Sequence, residues 1–143
     1  MSEPESAAVN ERSLAKGITA GLIGGLVGML AKTFAERMFP PHAHGETEPP
    51  EVAAEGIHWG FGAAAGAAYG ALAEYYPAAT AKEGVSFGLA LEALTHETAL
   101  PALGLSSAGT EGETVRERAS EMTSDVVYGI ATEMVRKFVR KFL

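Results

Sequence analysis

Phe87-Gly88-Leu89-Ala90-Leu91-Glu92-Ala93-Leu94-Thr95-His96-Glu97 is the stretch whose reading decides the fold. Apolar residues flank an ionisable cluster, and its aromatic-Gly-x-x-x-Glu pattern recurs as Tyr69-Gly70…Glu74 and Tyr128-Gly129…Glu133. Gly28…Lys32 repeats the spacing in another apolar segment. Four segments thus place a glycine about one helical turn before a charge. Period-two alternation is absent and β-branched residues are scattered, so no strand is expected and the fold class is all-α.

Outward from that stretch, breakers divide the chain. Ser13 is placed to cap a helix that Pro40-Pro41 stops, because proline lacks the amide hydrogen and restricts the residue before it. A second helix ends at Pro77 and a third before Pro101. Residues 101–113 form a Gly/Ser/Thr-rich connection to the fourth. The expectation is a polar tail over 1–12 and one helical domain over 13–143, with helices at about 13–39, 52–76, 81–100 and 114–143.

Composition excludes several function classes. The chain has 143 residues and no cysteine, which removes disulfides, thiolate chemistry and Cys-based metal centres. A formal charge of −7 gives no basic stripe for nucleic acid. The first eleven residues carry Glu3, Glu5 and Glu11 and no base, unlike the positive start of a signal peptide. No phosphate-binding G-x-x-x-x-G-K-[ST] loop or G-x-S-x-G elbow is present.

The glycines decide between water and bilayer. Thirteen of the seventeen fall inside predicted helices: Gly17, Gly21, Gly24, Gly25, Gly28, Gly56, Gly60, Gly62, Gly66, Gly70, Gly84, Gly88 and Gly129. In water-exposed helices each costs roughly 1 kcal/mol against alanine, together about as much as a whole domain's stability. In a bilayer the separated helix is already hydrogen bonded, and small residues let backbones approach. Gly17, Gly21, Gly24, Gly25, Gly28, Gly62, Gly66, Gly70, Gly84, Gly88 and Gly129 are therefore expected at helix contacts, as a glycine zipper. The expected architecture is a four-helix, Gly/Ala-rich transmembrane bundle. Arg12 and Lys16, Lys82, and the basic end Arg136, Lys137, Arg140 and Lys141 contrast with a base-poor 40–55 loop. That bias puts both termini in the cytoplasm and makes the four C-terminal bases a membrane-surface anchor.

At a spacing of four the ionisable residues form ridges: Gly24-Gly28-Lys32-Glu36, His58-Gly62-Gly66-Gly70-Glu74, Gly84-Gly88-Glu92-His96 and Glu121-Asp125-Gly129-Glu133-Lys137. Glu92, His96, Glu133, His58 and Asp125 form the candidate intramembrane ionisable cluster, because such groups in apolar segments usually face a partner or a water-filled cavity. The cluster reads either as a functional site or as a buried structural network. Glu92 and His96, one turn apart, are placed to share a proton, with Glu133 as their expected cross-helix neighbour. A di-iron bundle would need Glu-x-x-His on two helices, whereas Glu92-x-x-x-His96 occurs once. No catalytic residue, metal or cofactor is therefore assigned.

Gly17–Pro41, His58–Glu97 and Ser124–Arg136 resemble the YagU-like family of bacterial inner-membrane proteins of unknown biochemical activity. The marks are the Gly-rich first segment ending in Pro-Pro, His58-Trp59 with the aromatic-glycine pairs after it, and the late Tyr128-Gly129…Glu133. The resemblance implies a multi-pass location in the inner membrane and brings no catalytic residues. Two function classes follow. One is a structural or accessory protein that packs in the lipid bilayer against itself or a larger membrane complex. The other is a proton- or ion-linked protein using the Glu/His cluster, with a soluble helical metal-binding bundle a distant third.

Overall fold

The computed structural model describes residues 12–39, 51–95 and 115–143, with the backbone alone over 51–54. Four helices run through them: α1 (Leu14–Met38), α2 (Glu51–Tyr75), α3 (Val85–Leu94) and α4 (Val115–Arg140). No strand occurs among the described residues. Ser13 caps α1, its side chain accepting from the Lys16 amide at 3.3 Å, which satisfies one of the orphan donors of the first turn.

The third helix starts at Val85 rather than at the expected position near 81, and the reason is local. Tyr76 leads into a 3-10 turn at Pro77, where the Thr80 hydroxyl donates to the Pro77 carbonyl at 2.8 Å. Ala81 is then extended, and Lys82, Glu83 and Gly84 are all left-handed, with φ of 53°, 54° and 89°. That conformation costs a residue with a Cβ about 1–2 kcal/mol. It lets α3 double back along α4, and Glu83 meets Lys137 there.

The helices meet where side chains are missing. α1 lies antiparallel to α2, with Gly17 beside Gly70, Gly21 beside Gly66, and Gly25 beside Gly62. A Cβ built on Gly21 would stand 2.7 Å from the Gly70 Cα, and one on Gly25 would stand 2.9 Å from the Gly66 Cα. No carbon can occupy either place without moving backbone. A second face of α1 meets α4: a Cβ on Gly24 would reach the Arg136 amide at 3.3 Å, and one on Gly28 the Tyr128 ring at 2.9 Å. α3 lies antiparallel to α4 in the same way, Gly88 against the Asp125–Val126 backbone and Gly84 against Gly129 and Glu133. Gly84 is required twice over, by its positive φ and by the Glu133 Cβ 2.9 Å away. Gly56 and Gly60 have nothing within 4 Å.

The packing inverts the usual polarity of a water-soluble protein. Among the described residues the buried large apolar side chains are few, chiefly Met29, Tyr69 and Tyr128. Glu92, Ser124, Asp125, Thr132, Glu133 and Arg136 are buried. The outside carries Ile18, Leu22, Ile23, Leu26, Val27, Leu30 and Phe34 along α1, Phe61 and Leu72 on α2, and Leu89 and Leu94 on α3. By length and composition, α1 is long and apolar enough to cross a membrane, and among the described residues no other helix is. α2 falls short because Glu55, His58, Trp59 and its glycines lower its hydropathy, and α4 because charges run along it.

Candidate functional site

Helix directions sort the ionisable groups into two ends. At one end lie the start of α1, the end of α2 and the end of α4. There the fully buried Glu133 accepts three hydrogen bonds. The Tyr69 hydroxyl donates to its Oε2 at 2.7 Å, Arg136 Nε donates to the same oxygen at 2.7 Å, and Arg136 Nη2 donates to Oε1 at 2.9 Å. The planar guanidinium fork matches both carboxylate oxygens. Arg136 also lies 5.9 Å from the centre of the Tyr69 ring, and Phe87 stacks on that ring at 4.0 Å. One turn further, Arg140 grips Glu74 with two donors at 2.5 and 3.1 Å. The Ser13 amide donates to the same Glu74 at 3.1 Å, so α2 helps to cap α1. The Arg140 hydrogen bonds and the Ser13 amide hold the Glu74 carboxyl below its ordinary value, against the opposing effect of burial.

These contacts place two of the expected anchor residues in ion pairs. Arg136 is buried on Glu133, and the Arg140 side chain is 9% exposed on Glu74. Each guanidinium is paired with a carboxylate. Lys137 pairs with the exposed Glu83, which raises its pKa, and Lys141 is exposed. The physical reason is that a carboxylate on a neighbouring turn or helix lies within reach of each guanidinium.

At the opposite end, Lys32 of α1 ion-pairs with Asp125 of α4 and lies 3.5 Å from Glu36. Ser124 sits 3.4 Å from the ammonium and donates to the Glu121 carbonyl at 2.9 Å. The Ser120 hydroxyl donates to the Phe39 carbonyl at 2.7 Å and ties the end of α1 to α4. Beside the Lys32–Asp125 pair is a cavity of about 130 Å³, lined by Met29, Lys32, His58, Thr95, Asp125 and Tyr128 among others. A wider pocket of about 570 Å³ lies between α1 and α2, bounded by Phe34, Glu36, Arg37, Glu55, His58 and Trp59 among others. His58 lines both. The Tyr128 hydroxyl donates to the Gly62 carbonyl at 2.7 Å and floors the inner cavity.

The structure brings His58 and Asp125 to one cavity but does not bring Glu92 to Glu133. α3 runs antiparallel to α4 with Gly84 at the level of Glu133 and Gly88 at Asp125. Glu92 therefore lies eight residues beyond the Glu133 level, about 12 Å along the axis at 1.5 Å per residue. Glu92 is buried, and its carbonyl accepts from the Thr95 amide at the end of α3. His96 lies outside the described residues. No group of three or more His, Asp or Glu converges as a metal site among those described. Sequence spacing missed Tyr69 as a site residue and read Arg136 and Arg140 as a surface anchor, not as partners of Glu133 and Glu74. One usable signal was Glu133-x-x-Arg136, the other spacing at which helix neighbours meet.

The fold and these two ends define a small all-helical bundle with ion pairs inside and apolar side chains outside. The chain belongs to the family described as protein of unknown function (DUF1440), whose family model matches residues 52–134. That match spans α2, α3 and most of α4, and leaves α1, Arg136 and Arg140 outside it. No curated protein and no solved structure matches the chain significantly.

Proposed function

We propose that the chain is a multi-pass protein of the bacterial inner membrane, an accessory or structural bundle whose helices associate through glycine contacts, as a zipper. The observation that carries this reading is the inverted polarity. Ile18, Leu22, Leu26, Leu30 and Phe34 face outward, while Glu133, Arg136, Asp125 and Thr132 are buried. In water, apolar surface left exposed forfeits about 25 cal/mol per Å². In hydrocarbon the same face is solvated, and the inward charges are paired, Arg136 with Glu133 and Lys32 with Asp125. Helices meeting backbone to backbone, as α1 and α2 do, gain packing that needs no hydrophobic effect. Both termini and the Pro77–Gly84 turn then lie on the cytoplasmic side, with the lipid bilayer, a second copy or a larger membrane complex as partner. The resemblance to YagU-like inner-membrane proteins supports the same placement. The test is fractionation: the protein should stay with membranes through an alkaline carbonate wash, and a reporter fused after Leu143 should read as cytoplasmic. Release by the wash rejects the membrane reading, and a periplasmic Leu143 reporter rejects the orientation.

A second reading, a proton-linked membrane protein, is favoured by one specific observation. The inner cavity joins His58 to the Lys32–Asp125 pair. The proton-linked residues are then His58 and Asp125 rather than a Glu92–Glu133 relay.

A further inference from the structure

We propose that the wider pocket, His58 and the inner cavity form one aqueous access path from the Lys32 end to the Lys32–Asp125 pair, with His58 as its gate and proton-transfer residue. The proposal rests on the membrane reading and goes beyond it by naming what enters and where it stops.

Three features of the geometry carry it. First, His58 lines both spaces and, among the described residues, is the one residue on the walls of each. Second, the inner space of about 130 Å³ has room for about four waters at ~30 Å³ each, and it offers them several polar partners. It is too small for an ordinary organic substrate, for which pockets usually run to about 300–1,000 Å³. Water and the protons it carries are what fit. Third, the charged residue at its end has a built-in alternative partner. Lys32 is paired with Asp125 and lies 3.5 Å from Glu36.

The step balances in protons alone. A hydronium ion in the wider pocket delivers a proton to one ring nitrogen of His58 and is left as water. The other ring nitrogen releases a proton through cavity water to the Asp125 carboxylate, leaving the imidazole neutral. Protonated Asp125 no longer holds the ammonium, and Lys32 turns to Glu36. Among the described residues, the charged and titratable groups facing His58 are Lys32, Glu36 and Arg37 from α1, Glu55 from its own helix, and Asp125 and Tyr128 from α4. α3 contributes Leu91, and Thr95 follows at its end, neither of which titrates.

The absence of cysteine in the chain makes the test direct. Thr95→Cys is prepared in proteoliposomes, and Ag⁺ is used as a water-borne thiol probe that fits a narrow path. Reaction is read as lost maleimide labelling after denaturation. Ag⁺ should reach the thiol in the folded protein, and adding His58→Trp should slow the reaction at least tenfold. An unreactive thiol in folded protein, or equal rates with and without the tryptophan, overturns the path. If His58→Trp does not fold, His58→Gln decides. After an acid jump, the infrared band of protonated Asp125, identified by its loss in Asp125→Asn, should rise at least tenfold more slowly in His58→Gln. An unchanged rise overturns the gate. Carbonate extraction of the same vesicles reads the membrane assignment separately: protein retained in the pellet with an unreactive thiol defeats the path alone.

Discussion

The two ends of the bundle solve the same problem, ionisable groups inside a helix packing, in opposite ways. At the Arg140 end each carboxylate is held by a two-pronged guanidinium, and Glu133 has no exposed surface. At the Lys32 end a single ammonium is divided among Asp125, Glu36 and Ser124, with a cavity beside it. Arginine's fork fixes geometry, while lysine's rotatable point charge permits exchange between partners. The difference teaches which end is a lock and which can change state. A buried pair with every donor matched resists rearrangement, because any single departure strands a desolvated charge.

The largest expected effect breaks both ends at once. Each end depends on α1 lying against α2 through the Gly17/Gly21/Gly25 and Gly62/Gly66/Gly70 contact. Gly25→Leu puts a branched side chain where the Gly66 Cα stands 2.9 Å from a Cβ, so the helices must separate. The expected outcome is loss of the folded protein in mild detergent, measured by size-exclusion chromatography and protease resistance. Gly60→Leu is the control on the same pair of helices, because nothing lies within 4 Å of Gly60. Equal tolerance of the two substitutions would show that α1 and α2 do not meet at their glycines.

The next effect separates the ends. Glu133→Gln leaves Arg136 buried without its counter-charge and is expected to cost about 3–5 kcal/mol, the range for breaking one partner of a buried pair. Asp125→Asn leaves Lys32 with Glu36 and Ser124, 16% of its side chain exposed and a cavity beside it, and should cost about 1 kcal/mol. Double-mutant cycles for Glu133/Arg136 and for Asp125/Lys32, read from denaturant unfolding in detergent, check the ranking. Equal coupling at the two ends would remove the distinction between lock and exchanger.

Much of this was legible in residue spacing, and the illegible part has a physical reason. Spacing of four linked the glycines to Lys32, Glu74 and Glu133, and proline marked the end of α1 and of α2. Tyr69 and Tyr128 stood in the repeat without showing that their hydroxyls would bond Glu133 and the Gly62 carbonyl. That depends on the phase of α2 against α4, which no single helix encodes. Arg136 and Arg140 read as a surface run because composition shows a basic end and not the direction of each side chain. The α3 start was hidden for another reason. Left-handed Lys82 and Glu83 sit where glycine or asparagine would normally announce a turn.

The smallest effect sharpens the comparison by pH. Glu74 lies at the Arg140 end, beyond the uncharged Gly56–Ala73 stretch, and its folded pKa lies below the ordinary carboxylate value of 4.5, chiefly through Arg140. Because the folded value is depressed, the pair contributes fully above the unfolded value and is lost as pH falls through the folded one. Arg140 is shifted upward and keeps its charge throughout, so only the carboxylate titrates. The side chain of Glu74 is 7% exposed at the rim of the bundle, and the pair is worth about 1 kcal/mol, the upper end for ion pairs near solvent. Wild-type protein should therefore be more stable than Glu74→Gln by that amount at neutral pH. The gap should close as pH falls below about 4.5, the other carboxylates cancelling in the difference. Unfolding midpoints of the two proteins between neutral pH and pH 3 give the measurement. A gap that persists at acid pH would mean that the Glu74 charge contributes nothing and that the lock at this end rests on Glu133 and Arg136 alone.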